Sequence, residues 1–258
     1  MKLNHTAAGP EGALPVLLVH GLYGQGRNLG AQARRLAQTR RVVTVDLRNH
    51  GDSPQDMDAD YPALAGDLAR LIGDLGGRVD LVGHSMGGKA AMVLALTQPD
   101  LVRRLVIMDI APVAYDHDQT RYIDAMEALD LSAITRRSQA DAAMAADVPE
   151  PGVRAFLLQN LDLKATPPAW KLNLPALRAA MPQIVGWPDD LPQGSFPGKV
   201  MALRGARSDY VADAGEAALR AHFPQVRIVT LKDAGHWLHA DAPEAVAETL
   251  VSFLGDGR

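Results

Sequence analysis

The sequence predicts an α/β protein in which a mostly parallel central sheet is flanked by helices on both faces. Three observations lead to this fold class. Apolar runs of strand length recur along the chain, helical patterns separate most of them, and 258 residues suffice for one domain with a large core. The run at residues 15–20 (PVLLVH) is continuous rather than alternating, which is typical of a strand buried on both faces of a parallel sheet.

Six apolar runs predict the strands of this sheet, at residues 15–20, 41–46, 79–83, 104–109, 199–204 and 226–231. Helical patterns predict helices at residues 28–39, 62–75, 86–97, 212–222 and 243–253, the first of them capped by Asn28. Strands that alternate with helices in this way imply right-handed crossovers between parallel neighbours.

Residues 112–197 have a different pattern. This interval lacks a clear strand, is rich in proline and contains helical stretches near residues 119–129 and 139–146. A predicted sheet strand follows it, which favours an insertion over the alternative of a second independent domain. We therefore predict a mostly helical cap at 112–197, inserted after the strand that ends at Asp109, in a core formed by 1–111 and 198–258.

Composition excludes several classes of protein. Lys plus Arg total 26 and Asp plus Glu total 30, so the formal charge is −4, and without a basic tract we expect no nucleic-acid or membrane partner. The absence of cysteine excludes disulfides, thiolate metal ligands and a cysteine nucleophile. No apolar run approaches the roughly 18 residues that span a bilayer, and the N-terminus lacks the apolar stretch of a signal peptide. We expect a cytoplasmic protein.

The segment 81–88 (LVGHSMGG) lies between a predicted strand and a predicted helix and matches the pattern G-x-S-x-G. The turn around Ser85 is so tight that its neighbours two positions away must be small, and Gly83 and Gly87 meet that need. Such a turn lifts the serine hydroxyl above the sheet edge, next to a helix N-terminus whose free N–H groups favour developing negative charge. Ser85 is the predicted nucleophile.

Two other motifs use glycines in these regions. Residues 83–89 (GHSMGGK) fit the phosphate-loop pattern G-x-x-x-x-G-K, but Ala90 stands where a Ser or Thr should hold the metal. Residues 21–26 (GLYGQG), with Asp46 at the end of the next strand, approximate a dinucleotide fingerprint. That fingerprint requires a third small residue at position 29, where this chain has Leu29.

A nucleophilic serine needs an oxyanion hole and a base. The backbone amides of Leu22, after the first long strand, and Met86, after the serine, are the predicted oxyanion donors. His236 is the predicted base because it follows the last strand, at the sheet edge that also carries Ser85. A metal pair of His236 and His239 is the alternative, but no third ligand cluster stands out, so we expect no metal.

Two positions compete for the carboxylate that orients the base. Asp109 ends the strand that follows the Ser85 helix. On the later strand, the usual spacing G-x-x-D-x-x-V counted from Gly205 puts the acid at Ser208, and Asp209 stands one residue further on. A shift of one residue turns a side chain away. The pattern favours Asp109, with Ser208 as a hydrogen-bond donor to it and Asp209 as the alternative acid.

Together these motifs resemble the α/β-hydrolase superfamily and, more narrowly, the YbfF-type bacterial esterases. The segments that carry the resemblance are 46–54 (DLRNHGDSP), 83–89 (GHSMGGK), 109–113 (DIAPV), 184–187 (IVGW) and 234–237 (AGHW). The resemblance implies an α/β-hydrolase fold and a cofactor-free serine esterase acting on acyl esters, including acyl-CoA thioesters. It also implies a triad acid at the D-I-A-P strand end, which is Asp109. Asp209 departs from the family pattern, which leaves an acid at either strand open.

We therefore expect a carboxylic ester hydrolase that forms an acyl-enzyme on Ser85 and acts on a small-molecule ester as a monomer or homodimer. Carbon–carbon hydrolysis, menaquinone-pathway lyase chemistry, cofactor-free haloperoxidase chemistry and non-catalytic ligand binding are the alternatives. The side chains predicted to line the substrate pocket are Tyr23, Met126, Phe156, Trp187 and Trp237. The stretch before residue 15 is too short for a two-stranded hairpin, so we expect one edge strand of the family fold to be absent.

Overall fold

The computed structural model of the protein describes residues 1–12, 14–117 and 119–255. The strands of this part of the chain are β1 (His5–Ala8), β2 (Val16–Val19), β3 (Val42–Val45), β4 (Val79–His84), β5 (Val102–Met108), β6 (Leu161–Asp162), β7 (Ala169–Trp170), β8 (Lys199–Gly205) and β9 (Arg227–Leu231). Seven of them form one sheet in the order β1-β3-β2-β4-β5-β8-β9. Only β1 runs antiparallel to its neighbour, so the predicted mostly parallel sheet is confirmed.

The register of the sheet brings the ends of its central strands level with one another. Gly83 of β4 lies beside Val19 of β2 on one side and beside Ile107 of β5 on the other, and Ile107 lies beside Ala202 of β8. Strands β2 and β4 are buried at every position, and the continuous apolar sequence of β2 predicts this. Because parallel strands end at the same edge, the loops that follow β2, β4, β5 and β8 meet above that edge.

Helices cover both faces of the sheet. They are α1 (Gly30–Leu36), α2 (Tyr61–Asp74), α3 (Met86–Thr97), α4 (Thr120–Glu127), α5 (Arg137–Met144), α6 (Pro151–Leu158), α7 (Leu174–Ala179), α8 (Met181–Val185), α9 (Asp213–His222), α10 (Leu238–Asp241) and α11 (Pro243–Leu254). One buried cluster contains side chains of α2 and α3, and a second contains side chains of α1 and α11. Among the described residues, no helix is both long and apolar enough to cross a bilayer.

The N-terminal third of the chain differs from the prediction in detail. The sequence did not predict strand β1, which pairs antiparallel with β3. The described residues before residue 15 contain no second strand, in agreement with the prediction that this stretch is too short for a hairpin. Asn28 does not begin a long helix, because it lies inside a 3₁₀ turn, Gly26–Leu29, and α1 starts only at Gly30. The Asn28 side chain still performs a capping task, since its Oδ1 accepts a hydrogen bond from the Gln25 N–H at 2.6 Å.

We call residues 112–197 the cap segment. It contains α4 to α8, and also the hairpin of β6 and β7, which the sequence did not predict because strands of two residues carry no periodicity. Buried hydrogen bonds tie this segment to the rest of the chain. Asn160 donates to the Tyr23 carbonyl at 2.8 Å and accepts from the Gln25 amide at 2.7 Å, and the Tyr61 hydroxyl donates to the Ile184 carbonyl.

Candidate active site

Ser85 occupies the tight turn between β4 and α3. Its φ of 53° lies in the left-handed region that non-glycine residues rarely adopt. A Cβ on Gly83 would lie 2.3 Å from the Gly87 carbonyl oxygen, and a Cβ on Gly87 would lie 2.3 Å from the His20 carbonyl oxygen. Only glycine therefore fits at both positions. The Ser85 N–H donates to the Met108 carbonyl at 3.0 Å, which fixes the turn to the neighbouring strand.

A continuous chain of hydrogen bonds starts at this serine. The Ser85 Oγ lies 3.0 Å from the His236 Nε2, and the His236 Nδ1 lies 2.8 Å from the Asp109 Oδ2. The carboxylate of Asp109 is completely buried, and it also accepts hydrogen bonds from the Gly205 N–H at 2.8 Å and from the Ser208 hydroxyl. Asp209 is exposed and makes none of these contacts. The structure thus brings together Ser85, His236, Asp109 and Ser208, and leaves Asp209 outside.

The loop after β2 is held by two buried imidazole rings. The His20 Nε2 accepts a hydrogen bond from the Leu47 N–H at 3.0 Å, and the His50 Nε2 accepts one from the Tyr23 N–H at 3.1 Å. Burial lowers the pKa of His20, and lowers that of His50 to about 3, so both rings are neutral acceptors near pH 7. The side chain of His20 is therefore an anchor for the loop that carries Leu22.

Leu22 and Met86, whose backbone amides are the predicted oxyanion donors, lie at one cavity. Both residues line the same cavity as Ser85 and His236. Neither N–H donates to a backbone acceptor in the described ranges, and Met86 is the first residue of α3, where N–H groups have no intrahelical acceptor. Two free N–H groups beside a serine are suited to bind an oxygen that carries negative charge.

The cavity above Ser85 has a volume of about 250 Å³. Tyr23, Phe156 and Trp237 line it, as the sequence predicted, together with Leu22, Tyr122, Val153, Leu157, Ile184 and other mostly apolar or aromatic side chains. Met126 and Trp187, which the sequence analysis also placed in the substrate pocket, do not line this cavity. Met126 is completely buried on the inner face of α4, and Trp187 packs against the rings of Tyr61 and His222.

Comparison with known proteins assigns the chain to a family. A family model described as the alpha/beta hydrolase family matches residues 16–249. The chain belongs to the α/β-hydrolase family. It is 39% identical over 263 residues to the esterase YbfF of Escherichia coli K12, and the alignment covers 99% of this chain and 100% of YbfF. It is also 39% identical over 264 residues to the sn-1-specific diacylglycerol lipase ABHD11 of Mus musculus, covering 98% and 85%.

A solved structure supports the same assignment. The chain superposes on a marine microorganism esterase with a TM-score of 0.93 and 31% identity, over 98% of this chain and 99% of that one. The resemblance inferred from the motifs and the predicted α/β-hydrolase fold are therefore confirmed.

Lys89 is one residue of this α/β-hydrolase whose position the sequence did not predict. It lies one turn after Ser85 on α3, lines the cavity and donates to the carbonyls of Val185 and Gly186 in the cap segment. Burial lowers the pKa of its amine to about 7. The spacing of four residues from Ser85 was the available signal, since it places both side chains on one face of the helix. The lysine of the phosphate-loop pattern thus binds backbone carbonyls.

Two further residues near His236 were missed. His117 lines the cavity, and its Nε2 lies 2.9 Å from the Tyr210 hydroxyl. The Tyr210 ring stacks on the His236 ring with centroids 3.7 Å apart. The sequence offered no direct signal for either, beyond the position of Tyr210 two residues after Ser208.

The groups that the dinucleotide and metal alternatives require are engaged elsewhere. The Asp46 carboxylate accepts hydrogen bonds from the N–H groups of Gly26 and Asp52 at 2.7 and 3.1 Å, so it connects the loop after β2 with the loop after β3. The His239 ring packs against His84 at 4.5 Å, and burial lowers the pKa of His239 to about 4. Within the described ranges, no three His, Asp or Glu side chains are grouped so that they could hold a metal ion.

Proposed function

We propose that the protein is a carboxylic ester hydrolase in which Ser85 is the nucleophile, His236 the general base and Asp109 the carboxylate that orients the base. The observation that carries this proposal is the chain of hydrogen bonds from the Ser85 Oγ through both ring nitrogens of His236 to the Asp109 Oδ2, at 3.0 and 2.8 Å. The relatives named esterase and lipase support an ester bond as the target.

Acylation begins with transfer of the Ser85 proton to the His236 Nε2. The serine oxygen attacks the ester carbonyl carbon, and the carbonyl oxygen becomes an oxyanion that accepts hydrogen bonds from the N–H groups of Leu22 and Met86. The tetrahedral intermediate then collapses. The bond to the leaving oxygen breaks, and the His236 Nε2 returns its proton to that oxygen, which departs as an alcohol.

Deacylation repeats these steps with water. His236 takes a proton from a water molecule, whose oxygen attacks the acyl-enzyme carbonyl, and the proton then passes back to the Ser85 oxygen as the acid leaves. A thioester substrate, such as an acyl-CoA, follows the same course with a thiol as the leaving group.

The surroundings of Asp109 suit this mechanism. The carboxylate is buried and accepts a hydrogen bond from the His236 Nδ1–H, which leaves the Nε2 free to accept the serine proton. The Gly205 N–H and the Ser208 hydroxyl donate to the same carboxylate and keep it oriented. The negative charge then stabilises the imidazolium that forms during each half-reaction.

The cavity supports a substrate with an apolar acyl part. Aromatic side chains from both the core and the cap segment surround the serine, among them Tyr23, Phe156 and Trp237. The proposed reaction requires no cofactor and no metal, because the nucleophile, base and oxyanion donors all belong to the protein.

A series of p-nitrophenyl esters of increasing acyl length tests the proposal. We expect hydrolysis by the unchanged protein, with and without a chelator, and a loss of several orders of magnitude in Ser85→Ala. The matched control is Ser132→Ala, which removes an exposed serine of the cap segment and should leave the rate unchanged. A fluorophosphonate probe should label Ser85 alone. Labelling of another residue, or undiminished turnover in Ser85→Ala, would contradict the assignment.

A further inference from the structure

The imidazole of His236 lies against an aromatic ring that the mechanism above does not use. The Tyr210 ring is stacked on it with a centroid distance of 3.7 Å and an interplanar angle of 15°. The ring of His84 also contacts it, at 4.9 Å and a tilt of 41°. The stack is therefore the closer and more nearly parallel of the two contacts.

Tyr210 is held in this position from several directions. Its N–H donates to the Ser208 Oγ at 3.3 Å, and its carbonyl accepts from the Tyr115 hydroxyl at 2.7 Å. Its own hydroxyl lies 2.9 Å from the His117 Nε2. Burial raises the pKa of Tyr210 to about 12 and lowers the pKa of His117, so near pH 7 a neutral phenol donates to a neutral imidazole. Two of the three contacts come from the cap segment.

A second carboxylate besides Asp109 lies near the backbone of His236, since the Asp241 Oδ2 accepts a hydrogen bond from the N–H of the preceding residue, Gly235, at 2.7 Å. The remaining groups surround the His236 ring. The groups that face it are the carboxylate of Asp109, the rings of His84 and His239, and the more distant ring of His117. Burial lowers the pKa of each of these three histidines, so they are neutral acceptors or donors near pH 7. Besides Asp109, the π face of Tyr210 contacts the His236 ring and favours its positively charged form.

We propose that Tyr210 is a positioning residue of this site. Its stacked ring fixes the plane of the His236 imidazole between Ser85 and Asp109 and stabilises the imidazolium form. Its hydrogen bonds to Tyr115 and His117 connect the base to the cap segment. The effect on turnover rests on the proposed esterase function, whereas the effect on protonation of the imidazole does not.

The decisive comparison is Tyr210→Phe against a protein with pentafluorophenylalanine at position 210, introduced by site-specific incorporation. Both rings have nearly the same shape, but fluorination removes the negative charge of the π face. The readout is the titration of the His236 ring, followed by NMR in histidine-labelled protein and assigned with His236→Gln. We expect the midpoint in the fluorinated protein to lie about 0.4–1 pH unit below that of Tyr210→Phe, the size of an ordinary cation–π interaction.

Tyr210→Leu removes the ring altogether. We expect a similar downward shift of the His236 midpoint and a decrease in kcat of about 3–30-fold, with KM changed much less and kcat largely restored in Tyr210→Phe. The matched control is Phe156→Leu, which removes a ring that lines the cavity but packs on Trp237 instead, and whose His236 midpoint should not move.

Equal midpoints in the fluorinated and Tyr210→Phe proteins would overturn the inference, even if Tyr210→Leu failed to fold. A shifted midpoint in a protein that hydrolyses no ester would refute the proposed function and leave the inference standing. Ester hydrolysis with an unmoved midpoint would refute the inference alone.

Discussion

Replacement of Asp109 by asparagine tests the proposed acid most directly. In the structure one oxygen of Asp109 accepts from the Gly205 N–H, and the other accepts from both the His236 Nδ1 and the Ser208 hydroxyl. In Asp109→Asn the amide oxygen keeps the bond to Gly205, so the NH₂ group must face His236. The imidazole then accepts at Nδ1 and carries its proton on Nε2, where it can no longer accept the proton of Ser85.

The size of the effect follows from that tautomer. The corresponding change in the serine-protease template lowers kcat by about 10⁴-fold, and we expect a loss of about 10³–10⁴-fold here. At about 1.4 kcal/mol for each factor of ten, this is about 4–5.5 kcal/mol of transition-state stabilisation. The shape of the side chain is preserved, so the protein should stay folded.

The assay is steady-state hydrolysis of the best p-nitrophenyl ester, with thermal unfolding measured on the same samples. Asp209→Asn is the matched control, because Asp209 is exposed and one residue from Ser208, and its kcat should fall by less than about tenfold. The reverse ranking of the two variants would refute the assignment of the acid to β5.

Three further predictions concern stability, measured by urea unfolding. Burial lowers the pKa of Lys89 to about 7, so the native state binds fewer protons than the unfolded chain between about pH 7 and 10. The difference in free energy of unfolding between the unchanged protein and Lys89→Met should therefore increase with pH across that window, by up to about 1.4 kcal/mol per pH unit. A difference that does not change with pH would contradict this prediction. Gly83→Ala places a Cβ 2.3 Å from a backbone oxygen and should cost about 3 kcal/mol or more. Gly66→Ala, in an open position of α2, should instead stabilise by about 0.5–1 kcal/mol, so equal effects of the two would count against the steric argument. Asn160→Leu removes the buried hydrogen bonds that Asn160 donates to the Tyr23 carbonyl and accepts from the Gln25 side chain, and it should lower the free energy of unfolding by about 2–4 kcal/mol. An unchanged free energy of unfolding would show that these hydrogen bonds do not stabilise the fold.

The sheet was predictable because six of its strands coincide with largely apolar runs of strand length, most of which are separated by helical patterns. The six predicted strands correspond to β2, β3, β4, β5, β8 and β9, and α3 has the predicted bounds. Strand β1 was missed because it is a short edge strand whose residues are mostly exposed, so burial imposes no pattern on its sequence. The hairpin of β6 and β7 was missed because two residues are too few for any periodicity.

The site was predictable wherever a backbone constraint limits the residue type. The glycines around Ser85 mark a turn that only they fit, and Asp109 and His236 each follow a strand at the same sheet edge. The pocket was less predictable because composition does not say which face of a helix points inward. Met126 packs into the interior and the half-buried Trp187 packs against Tyr61 and His222, whereas Phe156 lines the cavity.

The contacts of Asp109 bear on how such a site can change during evolution. Its carboxylate is carried by β5, but the turn after β8 reaches the same oxygens through Ser208 and Gly205. A carboxylate gained at position 208 would lie next to the carboxylate of Asp109. Two adjoining carboxylates share a proton, so the pair carries one negative charge and the repulsion between them is small. Loss of the original acid afterwards would leave the imidazole still paired. The acid can therefore migrate from one strand to its neighbour in two single substitutions, without an intermediate that lacks it.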